Sequence, residues 1–471
     1  MLAALAVATM SAAAMPPAGP LTLEQAVRKA IVASGPVRAA KARLGLARER
    51  TNEVWAGVYP QIALSSSLMR FDLLGGSGGM GTSGLGGGGL GGFGGLGGLG
   101  GLGGTSIDGA MGGLGGFDGG IAAAGAAGGG QPFHQVQAQA QITQVLFDGM
   151  RTQSGLRLAD LAELAGRSEV AAAVRRTAIE TATAYLQVLR AEALADLAAR
   201  AVDQARRQLE RAEIREKTGA GMRLDVLQAR TGLSAFRVQQ AAAANGARRA
   251  RVMLGALLGE EAAAPLEPVV LPKVDADLER DLERAVARRP EAEQLDLKIA
   301  MDREQITIQE RSAWPTAGAF GMLSWQGGGG SRYDALGVQA NWPLFDAGKV
   351  RAKVAQARAE LAADEATREG LARSVEADTR RALLDRTDAR ERVKLAGEGL
   401  ESAREALRLA EIRHQTGVGT MFDVSDAQQA VVRAESDLID ARYEVELAEV
   451  RLAAALGVPL SDLGLTLGDQ P

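Results

Sequence analysis

The sequence predicts an α+β protein in which one unit, two β-strands followed by very long α-helices, occurs twice. Aromatic residues make up only 4% of the 471 residues, while glycine alone supplies 60. That composition is poor for one compact core but suits long helices that pack closely through small side chains. Short sequence words recur between the two halves of the chain, which indicates a duplicated unit. Two long stretches contain no proline, so each can form an uninterrupted helix.

The duplication is visible in short sequence motifs that recur at a constant spacing. Leu-Phe-Asp at 146–148 recurs at 344–346, and Glu-Ile-Arg at 213–215 recurs at 411–413. Both pairs are 198 residues apart, so no insertion separates the words in either half. The two halves therefore have the same order of elements.

Upstream of Leu-Phe-Asp the spacing changes. Tyr59-Pro60 corresponds to Trp314-Pro315 at a spacing of 255. The first half therefore carries 57 more residues there, and the glycine-rich stretch 75–130 accounts for them. This composition cannot build a core and predicts a flexible extracellular insert, with a plug, a surface contact or an assembly role as alternatives.

Each half begins with a helix, over about 23–53 in the first half, with Thr22 as N-cap and Gln25 three residues later, and about 278–311 in the second. Two strands follow, in which polar and small residues alternate with a period of two. Such alternation is typical of a sheet with one face toward lipid or protein and the other toward water. The predicted strands are about 60–71 and 135–146 in the first half and about 315–325 and 333–344 in the second.

The longest predicted elements follow the strands. Helices are predicted over about 149–217 and about 347–415, and at 1.5 Å per residue each would be about 100 Å long. A glycine-containing turn ends each of them, and shorter helices follow over about 224–258 and about 422–456. Heptad-like spacing favours coiled-coil packing of these helix pairs. The first repeat then spans 15–274 and the second 275–471.

Composition excludes several classes of function. The net charge is −4, from 53 basic and 57 acidic residues that are interspersed, which argues against a nucleic-acid partner. The chain has no cysteine and two histidines, His134 and His414, so thiolate and multi-histidine metal sites are not expected. No catalytic constellation and no nucleotide-binding motif is visible, so we predict neither an enzyme nor a cofactor.

The N-terminal residues 1–14 form an apolar run that ends in three alanines. This run resembles a secretory signal peptide, although it lacks a positively charged start. Beyond it the sequence has no uninterrupted apolar stretch of about 20 residues. If the chain spans a membrane, strands must therefore form the span.

Taken in order, these features resemble the TolC family of outer-membrane efflux proteins. The resemblance covers nearly the whole chain after residue 14, and the duplicated set of motifs is more specific than any one of them. The motifs that carry it are Tyr59-Pro60 and Trp314-Pro315, the strand-to-helix words 146–149 and 344–348, and the segments 224–229 and 422–427 that follow the turns.

The resemblance implies a homotrimer with a twelve-stranded β-barrel in the outer membrane and a periplasmic α-helical tunnel. Segments 259–277 and 457–471 would form a belt around this tunnel. The implied function is a passive exit duct for a tripartite efflux pump or a type I secretion system. Its implied partners are a periplasmic adaptor, an inner-membrane transporter and outer-membrane lipid. The alternative is a coiled-coil scaffolding protein of the envelope, which would not need the paired strands.

Two acidic residues of the second repeat match carboxylates that line the periplasmic entrance in the family. Asp423 and Asp426 are three residues apart on a helix and so share one face. By resemblance, three copies would form rings that favour cations and respond to pH and polyvalent metal ions. The alternative is acidic residues that complement the helix dipole or simply face solvent.

Asp225 occupies the matching position of the first repeat, where the family uses a hydrogen bond to hold the entrance closed. The position of the usual partner holds His414 here, and a neighbouring basic position holds Gly419. A pair between Asp225 and His414 would form a pH-sensitive latch. The alternative is an exposed histidine near a helix C-terminus.

The glycines of the two turns have a structural role and an implied functional one. Glycine readily adopts the left-handed conformation that ends a helix. By resemblance, the turn tips also dock the helical hairpin of the adaptor. The glycines concerned are Gly219, Gly221, Gly417 and Gly419.

Overall fold

The structure is a computed structural model in which contacts divide the chain into a sheet unit and a helical unit. The predicted signal peptide and glycine-rich insert lie outside the described residues, as do the start of the helix predicted from 278 and parts of both predicted belt segments. The described residues are 19–71, 133–219, 221–272, 285–326 and 331–458.

The sheet unit has four strands in the order β1-β2-β3-β4. The last strand ends at Asn341, earlier than predicted, because Pro343 lacks the N–H that a ladder hydrogen bond needs. The strands are β1 (Gln61–Phe71), β2 (Phe133–Phe147), β3 (Thr316–Gln326) and β4 (Ser331–Asn341).

The register of β1 and β2 separates apolar from polar side chains. The two strands are antiparallel, with Ile62 opposite Ile142 and Ser65 opposite Gln139. Side chains of directly paired residues lie on the same face. On the apolar face Ile62 and Leu64 are 78% and 80% exposed. The pair of strands therefore presents an exposed apolar surface and, opposite it, a surface of serine and glutamine.

The helical unit contains two helices of 67 residues, each about 100 Å long at 1.5 Å per residue. Each is followed by a helix of 36 residues. In the described part of the chain, no helix is both long and apolar enough to cross a membrane. The helices are α1 (Leu23–Ala33), α2 (Gly35–Ala56), α3 (Arg151–Lys217), α4 (Arg223–Leu258), α5 (Pro290–Arg311), α6 (Lys349–Gln415) and α7 (Met421–Leu456).

The expectation of one continuous helix over 23–53 is wrong. Ser34 has an extended ψ of 121°, and its side chain accepts the Val37 N–H at 3.4 Å. Pro36 has no N–H to continue the hydrogen bonds of α1, so α2 starts anew with Ser34 as its N-cap. The second repeat has a similar break at Arg289, directly before Pro290.

The repeated Leu-Phe-Asp word caps the long helices. Asp148 accepts the N–H of Thr152 at 2.6 Å, and Asp346 accepts the N–H groups of Gly348 and Val350 at 2.9 and 2.7 Å. These hydrogen bonds lower the pKa of Asp346. A carboxylate at this position satisfies N–H groups that have no partner within the helix.

The main core, which we call the belt core, is the buried cluster where α1, α3, α4, α6 and α7 meet. Tyr185, Leu186, Leu254 and Leu452 are its largest fully buried side chains. Burying each leucine contributes about 1.5–3 kcal/mol. The core lies partway along α3, far in sequence from both of its ends.

Tyr185 ties separate chain segments to the belt core. Its hydroxyl lies 2.7 Å from the carbonyl oxygens of both Leu21 and Glu267, and its single proton is donated to these two acceptors. Leu21 also forms an isolated parallel bridge with Leu266. Burial is the main cause that raises the pKa of Tyr185 to about 12, so the hydroxyl stays a donor.

Candidate functional site

The candidate site is formed by the two turns that join the long helices to the helices after them. We call residues 218, 219, 221 and 222 the first tip turn and residues 416–420 the second. Gly219 and Gly417 have φ values of +74° and +80°, a conformation that side chains disfavour. Each turn therefore ends its helix with glycine in the left-handed conformation, as the sequence predicts.

The second glycine of each turn is required by close packing. A Cβ at Gly221 would lie 2.9 Å from the Cβ of Arg215, and one at Gly419 would lie 3.0 Å from the Cβ of Arg413. Carbon atoms need roughly 3.5 Å. The chain therefore turns back tightly over the last turn of the preceding helix in both repeats.

Asp423 forms part of a helix cap. Its carboxylate accepts the N–H of Thr420 at 2.9 Å, and the Thr420 hydroxyl accepts the N–H of Asp423 at 3.2 Å. This reciprocal arrangement is a capping box. The hydrogen bond from the Thr420 N–H is the main cause that lowers the pKa of Asp423, so the exposed carboxylate stays charged.

Asp426 is exposed one turn further along α7, on the same side as Asp423. It has no hydrogen bond or ion pair with any other described residue. Asp225, at the start of α4, accepts the N–H of Met222 at 3.3 Å and is half-buried. Each repeat thus places an aspartate at the first turn of the helix that follows its long helix, Asp225 on α4 and Asp423 on α7. The second repeat adds Asp426.

His414 does not pair with Asp225 in the structure, which contradicts the hypothesis of a latch between these two residues. Its Nδ1 lies 3.4 Å from the carbonyl oxygen of Gly419, and its Nε2 lies 3.4 Å from Nη1 of Arg215. Both contacts form together when Nδ1 donates its proton and the unprotonated Nε2 accepts. His414 thus links the end of α6 to the end of α3.

Arg215 and Thr420 are the residues of this site that the sequence analysis did not single out. Arg215 ends the repeated Glu-Ile-Arg word, so the repeat marked its position without indicating its partner. Thr420 starts a Thr-x-x-Asp pattern, which signals a capping box. The cap was therefore available from sequence, whereas the contact with His414 required the structure.

Apolar side chains surround both tip turns. Met222 and Leu224 are 71% and 58% exposed beside the first, and Val418 and Phe422 are 74% and 64% exposed at the second. Exposed apolar groups that cluster at one place mark an interaction surface. No group of three His, Asp or Glu side chains suited to a metal ion occurs among the described residues.

The comparisons with known proteins agree with this architecture. A model of the outer membrane efflux protein family matches residues 108–260 and 282–458, which together are more than two-thirds of the chain. The two matched ranges fall in the two repeats.

One relative is the pyoverdine export outer membrane protein OpmQ of Pseudomonas aeruginosa. It is 25% identical over 260 residues, which cover 52% of this chain and 53% of the relative. The chain therefore spans about half the length of that relative.

Solved structures show the same fold over nearly the whole chain. The outer membrane protein VceC of Vibrio cholerae has a TM-score of 0.70 and 16% identity, covering 92% of this chain and 96% of its own. The CmeC outer membrane channel of Campylobacter jejuni has a TM-score of 0.71 and 15% identity, covering 92% and 85%. The fold prediction is confirmed, and the chain belongs to the outer membrane efflux protein family.

Proposed function

We propose that three copies of this chain form a passive exit duct across the outer membrane, with the helices extending into the periplasm. One observation carries this proposal. The chain belongs to this family and contains two equivalent strand pairs and two equivalent helical hairpins, each formed by a long helix and the helix that follows it. The sheet order leaves β1 and β4 at the edges. Unpaired edges are costly in lipid, and closure with further copies removes them.

The signal-peptide and repeat boundaries predicted from the sequence are part of this proposal. Residues 1–14 would direct export and be removed, and the first and second repeats, 15–274 and 275–471, would each supply two strands and one hairpin. The 12 strands of a trimer would then form one closed barrel.

The duct would work with a periplasmic adaptor and an inner-membrane transporter, in a tripartite efflux pump or a type I secretion system. The adaptor would bind the tip turns, where Met222, Leu224, Val418 and Phe422 offer apolar contact area. Such groups gain free energy when a partner covers them. The transporter would supply the energy, so the duct itself needs only to open and close.

The entrance would lie at the tip turns. Asp423 and Asp426 are exposed, and three copies would place six carboxylates around one opening. A ring of like charges attracts cations and repels anions in a narrow passage. Asp225 would hold the first turn through its bond to Met222, and His414 would hold the two turns together through Arg215.

Conductance across a planar bilayer tests this function. The protein purified from outer membranes should form channels that a trivalent cation blocks from the periplasmic side. Asp423→Ala with Asp426→Ala should weaken that block by about tenfold or more, since the ring loses its carboxylates. Asp437→Ala is the matched control, because Asp437 is an exposed acidic residue of α7 about three helical turns beyond Asp426.

Two other outcomes would contradict different parts of this proposal, and the first would favour the scaffolding alternative. A protein recovered only in the soluble fraction, with no conductance, would contradict the duct. Unchanged trivalent block in the double variant would contradict the entrance role of Asp423 and Asp426 while leaving the duct in place.

A further inference from the structure

Two carboxyl groups meet between α5 and α6. Asp302 of α5 is half-buried, and its Oδ2 atom is buried without a hydrogen-bond donor among the described residues. The side chain of Asp364, on α6, is 14% exposed and lies within hydrogen-bonding reach of Asp302. Oδ1 of Asp364 accepts a hydrogen bond from Nζ of Lys298 at 2.9 Å. A buried carboxylate oxygen without a donor is costly, so the charged form of Asp302 is disfavoured here.

A hydrogen bond between two carboxyl groups requires a proton on one of them. A carboxylate has only acceptor oxygens, whereas a protonated carboxyl group also has an O–H donor. Lys298 favours the charged form of Asp364, so the proton belongs on Asp302. Asp302 then donates to Asp364, which satisfies the buried oxygen and removes the repulsion between two like charges.

The remaining charged groups near Asp302 come from α3 and α6, which both pack against α5. On α6, Glu360 adds a negative charge that disfavours a carboxylate at Asp302. On α3, Arg157 lies 3.6 Å from Glu304, and Asp160 is exposed. Arg157 therefore pairs with another carboxylate of α5.

The pKa values of the two aspartates differ because their surroundings differ. Burial, and then the hydrogen bond with Asp364, raise the pKa of Asp302 to about 6. The hydrogen bond from Lys298 is the main cause that lowers the pKa of Asp364. The pair therefore keeps one proton at about pH 5, where two aspartates in water would both be ionised.

The first repeat has small residues at the equivalent positions. Helices α2 and α5 have 22 residues each and are 255 residues apart, so Ala47 is the equivalent of Asp302. Gly166 is the equivalent of Asp364 at the spacing of 198. A Cβ at Gly166 would lie 3.2 Å from Cδ1 of Leu44, so α2 and α3 pack closely there. Equivalent helices thus pack without ionisable groups at these positions, and the carboxyl pair belongs to the second repeat.

We propose that Asp302 and Asp364 share one proton and, with Lys298, form a pH-sensitive clip between α5 and α6. Below about pH 6 the shared proton joins the two helices. At higher pH Asp302 releases this proton to water, and two negative charges then face each other, so the contact weakens. Because α5 leads into β3 and α6 follows β4, the clip joins the helices that flank the second pair of strands. All of its groups belong to one chain, so it does not depend on the number of copies.

Amide hydrogen exchange of the purified full-length protein tests the clip. The folded pKa of Asp302 is raised above the unfolded value of about 3.9. The stability that the proton contributes is therefore fully present below the unfolded value and is lost as pH rises through about 6. After correction for intrinsic rates, exchange at residues 296–306 of α5 should be about tenfold slower at pH 5 than at pH 7.5.

Two variants and a control identify the groups responsible. Asp302→Asn supplies an amide donor at every pH, so exchange should stay slow and lose its dependence on pH. Asp364→Asn is the second variant. Its amide donates to ionised Asp302, so the proton is no longer needed and the dependence should again be lost. Asp296→Asn is the control, because Asp296 is an exposed acid of the same helix that accepts a hydrogen bond from Arg368 at 2.7 Å.

The outcomes are distinct. A pH dependence that is present in the parent and the control and absent from a folded Asn variant of the pair supports the clip. Equal exchange of the parent at both pH values overturns it. A dependence that persists in Asp302→Asn also overturns it, because another group would then be responsible. Each of these results leaves the proposed duct standing, since conductance tests the duct separately.

Discussion

The belt core and the tip turns differ in how they are held, although α3, α4, α6 and α7 contribute to both. Tyr185 and Leu186 of the belt core are fully buried and contact side chains from several helices. The tip turns are held by local caps, by the contact between His414 and Arg215, and by a small buried cluster of Ala212, Val226, Ala229 and Met421. Burial and many partners give a region high resistance to local opening, whereas exposed local hydrogen bonds give little.

This difference fits a duct that opens at one end. The belt core can keep the helices of one chain together while the tip turns separate. Interactions at the tips are individually weak, so a partner that binds there need supply only a few kcal/mol to change their arrangement.

Leu186→Ala should have the largest effect. Leu186 is fully buried in the belt core, and truncation of such a leucine costs about 2–5 kcal/mol in lost burial and cavity formation. Urea unfolding of the purified protein measures the loss. Leu164→Ala on the same helix is the control, because Leu164 is 47% exposed. Equal losses in both variants would contradict the contrast.

Tyr185→Phe should lower the free energy of unfolding by less, about 1–3 kcal/mol, because the carbonyl oxygens of Leu21 and Glu267 lose the hydroxyl donor. The ring would stay in place, so the loss reports the hydrogen bonds of Leu21 and Glu267. The same unfolding experiment measures it. A variant as stable as the parent would show that water replaces the hydroxyl.

Two substitutions test the helix caps at the tip turns. One should lower the stability of the start of α7 by about 1 kcal/mol, and the other should raise that of α4 by a similar amount. Thr420→Met should remove the cap of α7, and Met222→Thr should give α4 a cap, since N-cap threonine contributes about 1 kcal/mol. Both residues have extended backbone, with φ and ψ of −98° and 159° at Thr420 and −93° and 149° at Met222.

Amide hydrogen exchange of the first turns of α4 and α7 measures both changes. Protection should fall at α7 in the first variant and rise at α4 in the second. A change of the same sign at both helices would mean that the turns do not differ in their caps.

The second tip turn should loosen in acid. The pKa of Asp423 is lowered by the Thr420 N–H, so its contribution is present above its unfolded pKa of about 3.9 and is lost as pH falls through the lower folded value. Hydrogen exchange at residues 421–424, corrected for intrinsic rates, should therefore rise only below about pH 4. Asp423→Asn should remove this dependence, and Asp426→Asn should leave it unchanged.

The hydrogen bond between Arg215 and His414 should make the smallest contribution to stability. A double-mutant cycle of Arg215→Ala with His414→Leu should give a coupling of about 0.5 kcal/mol, as expected for one long, partly exposed hydrogen bond. A cycle of His414→Leu with Asp225→Ala should give none. Coupling to Asp225 instead would restore the latch expected from the sequence.

Most of the fold could be predicted because its signals are periodic and repeated. Long stretches without proline indicated α3 and α6, and the words at 146–148 and 344–346 marked where they begin. The break at Ser34 was missed because Gly35-Pro36 lies within an otherwise helical pattern. A proline near a helix start is tolerated, so sequence alone does not distinguish a new helix from a kink.

The candidate site was predictable in part. The left-handed glycines followed from the turn pattern, because few other residues adopt that conformation. The partner of His414 did not follow, since Arg215 and Asp225 are both near a tip and either could face the ring. Only the tertiary structure, in which Nη1 of Arg215 lies within reach of Nε2 of His414, decides between them.

The sequence by itself determined the duplicated order of strands and helices, the positions of the turns and the caps, since these depend on residues close together in the chain. The tertiary structure decided that α7 lies against α3, that Leu186 is buried while Leu384 is exposed, and that His414 contacts Arg215. The two repeats share a pattern, but the contacts between them are not symmetric, since α3 of the first repeat packs against α7 of the second. Equivalent residues therefore have different surroundings, which no local pattern encodes.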